Sequence, residues 1–266
     1  MPNDEALTRR LHLVRILAQE AGREALQFWN ESGGKALGIE KKSTQDFVTI
    51  ADRQAEYRIK STLAREFPED GFIGEETGGA KGRRGTWVVD PIDGTANYLR
   101  GLRHWGVSIA YVLDGVTVLG IVHDSPTDRI YSARLGHGAW RDGEKIGVSN
   151  TTGPQMAMGI LGASRRTPFA LYLNQLQALF DAGIEHRKIG SAAIGLVRMA
   201  EGVVDFYYEK HLNSWDALAG VLIASEAGAG VVAPPMDDFI ANGGEVLCTT
   251  PAISAQLQDL LVGAQR

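Results

Sequence analysis

The sequence predicts an α+β protein, and three stretches of the chain carry that prediction. An apolar stripe at helical spacing opens it, short β-type runs broken by turns fill its middle, and strand-like and helix-like segments alternate after Gly147. At the start, Leu7, Leu11, Val14, Leu17, Ala18, Ala21, Ala25 and Phe28 recur every three or four residues, which predicts a long amphipathic helix ending near Gly33-Gly34. A second helix is predicted over Arg53 to Arg65. The runs Phe72-Ile73, Trp87 to Val89, Val107 to Val112, Val116 to Val122 and Ile130 to Ser132 have the length and composition of strands. Asp114-Gly115 and Pro126-Thr127-Asp128 separate the later ones as antiparallel hairpins. Strands then follow at Met158 to Leu161, near Arg187, at Val204 to Tyr208, Gly230 to Val232 and Val246 to Thr249. The helices between and after them are Pro168 to Phe180, Ala192 to Ala200, Asp216 to Ala227 and Ala252 to Leu261. No repeat or linker divides the chain, so residues 1–266 are expected to form one compact unit with lobes at about 1–146 and 147–266.

With 266 residues, 44% of them hydrophobic, the chain can bury a large core without staples. A net charge of -5 offers no general attraction for nucleic acid, which is therefore not expected as the main ligand. The single cysteine, Cys248, lies in the apolar run Val246-Leu247-Cys248; it excludes an intramolecular disulfide or a cysteine zinc cluster and reads as a buried strand residue in a reducing compartment. The opening Met1-Pro2-Asn3-Asp4-Glu5 lacks the basic-then-apolar pattern of a secretory signal, and apolar stretches such as Ala217 to Ala224 fall far short of the ~20 residues that cross a bilayer. A cytoplasmic protein with no membrane partner is expected.

The segment Trp87-Val88-Val89-Asp90-Pro91-Ile92-Asp93-Gly94-Thr95 carries the most chemistry. An apolar strand delivers two aspartates, Pro91 interrupts the strand between them, and a turn follows at once, so both carboxylates emerge at its end. Hard cations such as Mg²⁺ favour oxygen donors, and Asp90 and Asp93 can converge on one ion or bridge two, with the Ile92 carbonyl as a further donor. Gly94 and Thr95 would open the next helix, whose unpaired N–H groups and dipole suit an anion such as phosphate. Asp93 reads equally as a helix cap. Upstream, Gly71-Phe72-Ile73-Gly74-Glu75-Glu76-Thr77 places two glutamates after a short strand, where Glu75 reads as a third carboxylate for the same point and Glu76 as a bystander. Asp52 leads into the second helix, either as its N-cap or as a partner of Thr95 or of a metal-bound water. Asp216 stands in the first turn of a largely apolar helix, where capping also accounts for it. Acidic residues that each begin or end a core element are what a site held on rigid elements requires.

Taken in this order, Gly-Glu-Glu, Trp-Val-Val-Asp-Pro-Ile-Asp-Gly-Thr and Trp-Asp give a sequence that resembles the inositol monophosphatase family over about residues 10–260. The resemblance implies a layered α-β-α-β-α fold forming a single catalytic unit, shared with fructose bisphosphatases and bisphosphate nucleotidases. It implies Mg²⁺-dependent hydrolysis of a small phosphomonoester, most simply myo-inositol 1-phosphate, with two or three Mg²⁺ ions held by Glu75, Asp90, Asp93, Asp216 and the Ile92 carbonyl. Phosphate would meet Gly94 and Thr95; Glu75, Thr95 and Asp52 would prepare the attacking water; and Asp93, Ser191, Ala192 and Glu209 would meet the rest of the substrate. A homodimer is the family habit. Lys41 resembles a lysine near the family's metal site and reads equally as a solvated charge beside Lys42. His211 departs from the smaller residue of the mammalian form and reads as packed at a loop. His12, His104, His123, His137 and His186 have no metal-ligand spacing.

Glu209 suits a hydroxyl or a cationic group, so histidinol phosphate stays open beside inositol phosphate. Fructose 1,6-bisphosphate and a 3'-phosphonucleotide, substrates of the same superfamily, are further alternatives. A regulatory binding protein that retains the fold is the alternative of another class. The chain has no Walker loop, nucleophile-elbow serine or paired-cysteine motif.

Overall fold

In the computed structural model, which describes residues 4–32, 40–43 and 46–263, the opening apolar stripe is α1 (Asp4–Glu31). A short ribbon, β1 (Glu40–Ser43) against β2 (Asp46–Val48), leads to α2 (Ile50–Glu66). Next come β3 (Gly71–Gly74), β4 (Gly78–Ala80), β5 (Gly85–Asp93), α3 (Thr95–Arg100), β6 (Gly106–Leu113), β7 (Val116–Asp124), β8 (Arg129–Arg134), β9 (Ala139–Arg141) and β10 (Glu144–Ile146). The remainder is β11 (Met158–Leu161), α4 (Phe169–Asp181), β12 (Glu185–Arg187), α5 (Ala192–Ala200), β13 (Phe206–Leu212), α6 (Ser214–Glu226), β14 (Gly230–Val232), α7 (Met236–Asn242), β15 (Gly244–Thr249) and α8 (Ser254–Leu257).

Eight strands form one sheet in the order β10-β9-β8-β7-β6-β5-β3-β4, antiparallel except where β3 runs parallel to β5. The expected hairpin turns are there: Asp114 and Gly115 take φ of 49° and 76° between β6 and β7, the left-handed pair that matches strand twist. Five strands form the second sheet, β12-β11-β13-β15-β14, with β11 parallel to both its neighbours. Side-chain alternation then dictates the layers. Trp87 and Val89, Val107 and Ile109, and Leu119 and Ile121 point toward α1 and α2, whereas Val88, Ala110 and Val122 point the other way, toward α5 and α6. The far faces of α5 and α6 meet Tyr207, Val246 and Cys248 of the second sheet. Phe206, Tyr208 and Leu247, one residue out of phase, pack outward with Leu179 of α4, Leu257 of α8 and Leu261. The result is the α-β-α-β-α layering, and strands buried on both faces read in sequence as continuous apolar runs.

Among the boundaries that differ from the sequence reading, three have a local cause. The second helix starts at Ile50, because Thr49 is its N-cap and Asp52, at the third helical position, returns the bond to the Thr49 N–H; Asp52 is thus half of a capping box, not the cap. The strand expected from Val204 begins at Phe206, since Asp205 is spent on accepting from Met158 N and Ser149 Oγ at the sheet edge. The C-terminal helix expected over Ala252 to Leu261 divides into a 3₁₀ turn at Pro251–Ile253, α8, and a π turn at Gln258–Val262. Among the described residues no helix is long and apolar enough to cross a membrane.

Candidate active site

The ends of β3 and β5 and the starts of α2, α3, α5 and α6 meet at one place. Every residue of β5 is buried. Its pairing with β6 slips between Asp90 and Asp93, where Pro91 has no N–H for the ladder, and both aspartates stay within the strand on either side of the slip, opposite Ser108 and Gly106. Asp90 Oδ1 turns back to accept the Ile92 N–H at 2.9 Å. Glu75 continues β3 by one step, its N–H donating to Val89 O at 3.1 Å. Asp216, in the first turn of α6, accepts from Asn213 N at 3.1 Å and Asn213 Nδ2 at 3.2 Å. One carboxylate oxygen from each of Glu75, Asp90 and Asp216 lies within 4.8 Å of the others.

Three acids so close resist ionising together. Burial, and then the charges of Glu75, Asp93 and Asp216, hold the Asp90 carboxyl well above the usual carboxylate range. Burial and the Glu75 charge do the same to Asp216. A hard divalent cation relieves this arrangement, and the all-oxygen donor set is the kind that such a cation takes.

Asp93 stands beside the triad but is committed to α5. It accepts from Ser191 Oγ, from Ala193 N at 2.7 Å and from Ala192 N at 3.3 Å, capping the helix N-terminus where a negative charge is favoured. Burial pushes its carboxyl up to about 6 against those donors. The Ser191 and Ala192 groups expected to meet substrate are thus occupied by Asp93. On the other flank, the Thr95 hydroxyl lies 3.1 Å from Ile92 O and 3.4 Å from Asp52 Oδ1. Burial lifts the Asp52 carboxyl to about 6 against the Thr49 bonds. Gly94, at φ 93°, turns the chain into α3, whose first N–H groups have no carbonyl within the helix to reach.

Glu209 leaves β13 toward the same space. Tyr207 donates to it at 2.8 Å, and its carboxylate lies against Gly162, where any side chain would collide with it. Burial, with the Asp93 charge adding, brings its carboxyl up to about 7 despite the Tyr207 bond. His211 is packed, its Nε2 3.0 Å from Asn242 O at the end of α7. The side chains of Lys41 and Lys42 lie outside the described part.

Asn97 escaped the sequence reading. Its Nδ2 donates to His104 O at 2.6 Å and Ile189 O at 2.8 Å, tying α3 to the loop that enters α5. The only signal was its place one turn after Asp93, and asparagine on a short helix has many bland explanations.

A sequence profile of the inositol monophosphatase family matches residues 10–266. The chain belongs to the inositol monophosphatase family. It is 35% identical to an inositol-1-monophosphatase of Mycobacterium leprae, over 92% of this chain and 90% of that one. It is 33% identical to a Nus factor SuhB of Xylella fastidiosa, over 93% and 92%. Among solved structures, the extragenic suppressor protein suhB of Bartonella henselae superposes with a TM-score of 0.87 at 28% identity, covering 96% of this chain and 98% of that one. This family of phosphatases is metal-dependent, and Glu75, Asp90 and Asp216 are the family member's candidate metal centre.

Proposed function

We propose that the protein is a magnesium-dependent phosphatase that hydrolyses a small soluble phosphomonoester, with myo-inositol 1-phosphate as its substrate. The observation that carries this reading is the convergence of Glu75, Asp90 and Asp216 beside the start of α3. Together with Asp93 and the Ile92 carbonyl, these groups would hold two or three Mg²⁺ ions. Bound there, Mg²⁺ supplies Lewis acidity to the phosphoryl oxygens and lowers the pKa of a water. The N–H groups of Gly94 and Thr95 bind the phosphate. Glu75 and the Thr95 hydroxyl orient the attacking water in line, and Asp52 accepts a hydrogen bond from that hydroxyl, so that its oxygen turns its lone pairs to the water. No nucleophilic side chain or phosphoenzyme is required. Glu209 accepts a hydroxyl of the substrate, and Asp93, steadied by Ser191 and Ala192, meets another. A homodimer in the cytoplasm belongs to the same reading.

The relative named Nus factor SuhB favours a second reading, attachment to a macromolecular partner. The complete carboxylate set supports catalysis first. The test is phosphate release from myo-inositol 1-phosphate, histidinol phosphate, fructose 1,6-bisphosphate and a 3'-phosphonucleotide, each with Mg²⁺ and with chelator. Inositol phosphate is expected to be favoured, and only with Mg²⁺; no Mg²⁺-dependent release from any of them would favour the second reading. Glu209→Gln is expected to raise KM for inositol 1-phosphate with a smaller change in kcat. A hydrogen bond to a charged group is worth about 1.5–3 kcal/mol, or roughly tenfold to a hundredfold in kcat/KM. An unchanged substrate profile would remove Glu209 from recognition.

A further inference from the structure

Helix α2 presents two buried carboxylates to the site, one helical turn apart. Asp52 faces Thr95 at the start of α3. Glu56, 0% exposed, takes the opposite flank: its Oε2 accepts the Glu76 N–H at 2.8 Å and its Oε1 the Thr77 N–H at 2.9 Å. These are the two backbone donors that follow Glu75. The Glu75 N–H itself is bound to Val89 O, the carbonyl immediately before Asp90. The backbone of Glu75 is therefore fixed on one side by the strand that carries Asp90 and on the other by Glu56. Gly74 makes this possible, because a side chain there would collide with the Glu56 carboxylate. One turn further along α2, Lys60 Nζ donates to Thr77 Oγ1 at 2.9 Å and closes the same loop.

We propose that Glu56 is a positioning residue of the metal centre, holding the Glu75 loop so that its carboxylate meets those of Asp90 and Asp216. The inference rests on the reading of those three residues as a metal site. The chemistry explains why a carboxylate stands here. Two successive N–H groups need two acceptor oxygens, which Glu supplies; Gln offers one oxygen and sets its amide NH₂ against the other N–H. Ala removes the acceptor from both N–H groups. Outer partners of metal ligands act in this way, and losing one weakens metal binding by about 10–100-fold.

The test titrates the full-length protein, Glu56→Gln and Glu56→Ala with MgCl₂, following binding by calorimetry and by the Mg²⁺-dependent rise in Tm. Phosphate release is measured over the same Mg²⁺ range. Glu56→Gln is expected to keep its fold in chelator and to need about tenfold more Mg²⁺ for half-saturation, with the rate at saturating Mg²⁺ largely recovered. Glu56→Ala is expected to move further the same way; should it fail to fold, the Gln variant carries the comparison. Folded variants with the parental Mg²⁺ half-saturation, and only a lower Tm in chelator, would make Glu56 a purely structural residue and overturn the proposal. Absence of Mg²⁺ binding in the unmutated protein would instead remove the metal site itself, and the two failures are read on different samples.

Discussion

Asp90→Asn loses turnover by on the order of 10³-fold while keeping the fold. The substitution leaves volume almost unchanged and retains Oδ1, the atom that accepts the Ile92 N–H at 2.9 Å, so the bulge in β5 has no reason to move. What it removes is a charge between Glu75 and Asp216. In chelator that loss costs nothing, because the three acids already repel one another and burial already disfavours an anion at Asp90. The Asn variant is therefore expected to melt at or above the temperature of the unmutated protein when metal is withheld. With Mg²⁺ the order reverses. A ligand that binds only the folded state raises stability by about 2.7 kcal/mol at a hundred times its Kd, and the variant forfeits most of that. Calorimetric melts of both proteins in chelator and in Mg²⁺ read the reversal directly; a variant that melts lower in chelator and gains as much from Mg²⁺ as the parent would assign Asp90 to structure alone.

Gly94→Ala is the second large effect, and here the backbone is responsible. Gly94 sits at φ 93° and ψ 36°, and a Cβ at this position would stand 2.8 Å from His104 O and 3.2 Å from Ser191 Cβ. The left-handed conformation alone costs a residue with a side chain about 1–2 kcal/mol, and the close contact adds a shift of the chain. Relief must displace either the His104 loop or the start of α3, and with α3 go Asp93 and Thr95. Displacement by about 1 Å costs on the order of 10²-fold in rate. A lower Tm and a turnover loss of that size are expected together. An alanine variant with both parental values would show that Gly94 does not hold this turn.

The local shape of the Trp87 to Thr95 segment was legible in the sequence because strand, proline and turn are local events. The same holds for Glu75, which the parallel pairing of β3 with β5 brings level with Asp90. Asp216 was visible because an acid heads an apolar helix. The division of labour around Asp93 was not. Its donors at Ser191, Ala192 and Ala193 come from far along the chain, and only the packing of α5 against the first sheet brings them there. Glu56 was hidden for the same reason: a glutamate on a polar helix is common, and the N–H groups it accepts belong to another element. At the periphery, β9 and β10 are too short for a period, and α7 follows Pro234-Pro235 with little apolar patterning to announce it. The continuous apolar runs, by contrast, revealed strands buried on both faces, because each sheet lies between helices.

The measurement that bears most directly on the account is a crystal structure of the protein soaked in Mn²⁺, with anomalous difference maps locating the metal. The account expects the strongest peak among the carboxylate oxygens of Glu75, Asp90 and Asp216, with any further peak toward Asp93. Full activity in Mn²⁺ with no anomalous peak at these three residues would contradict it.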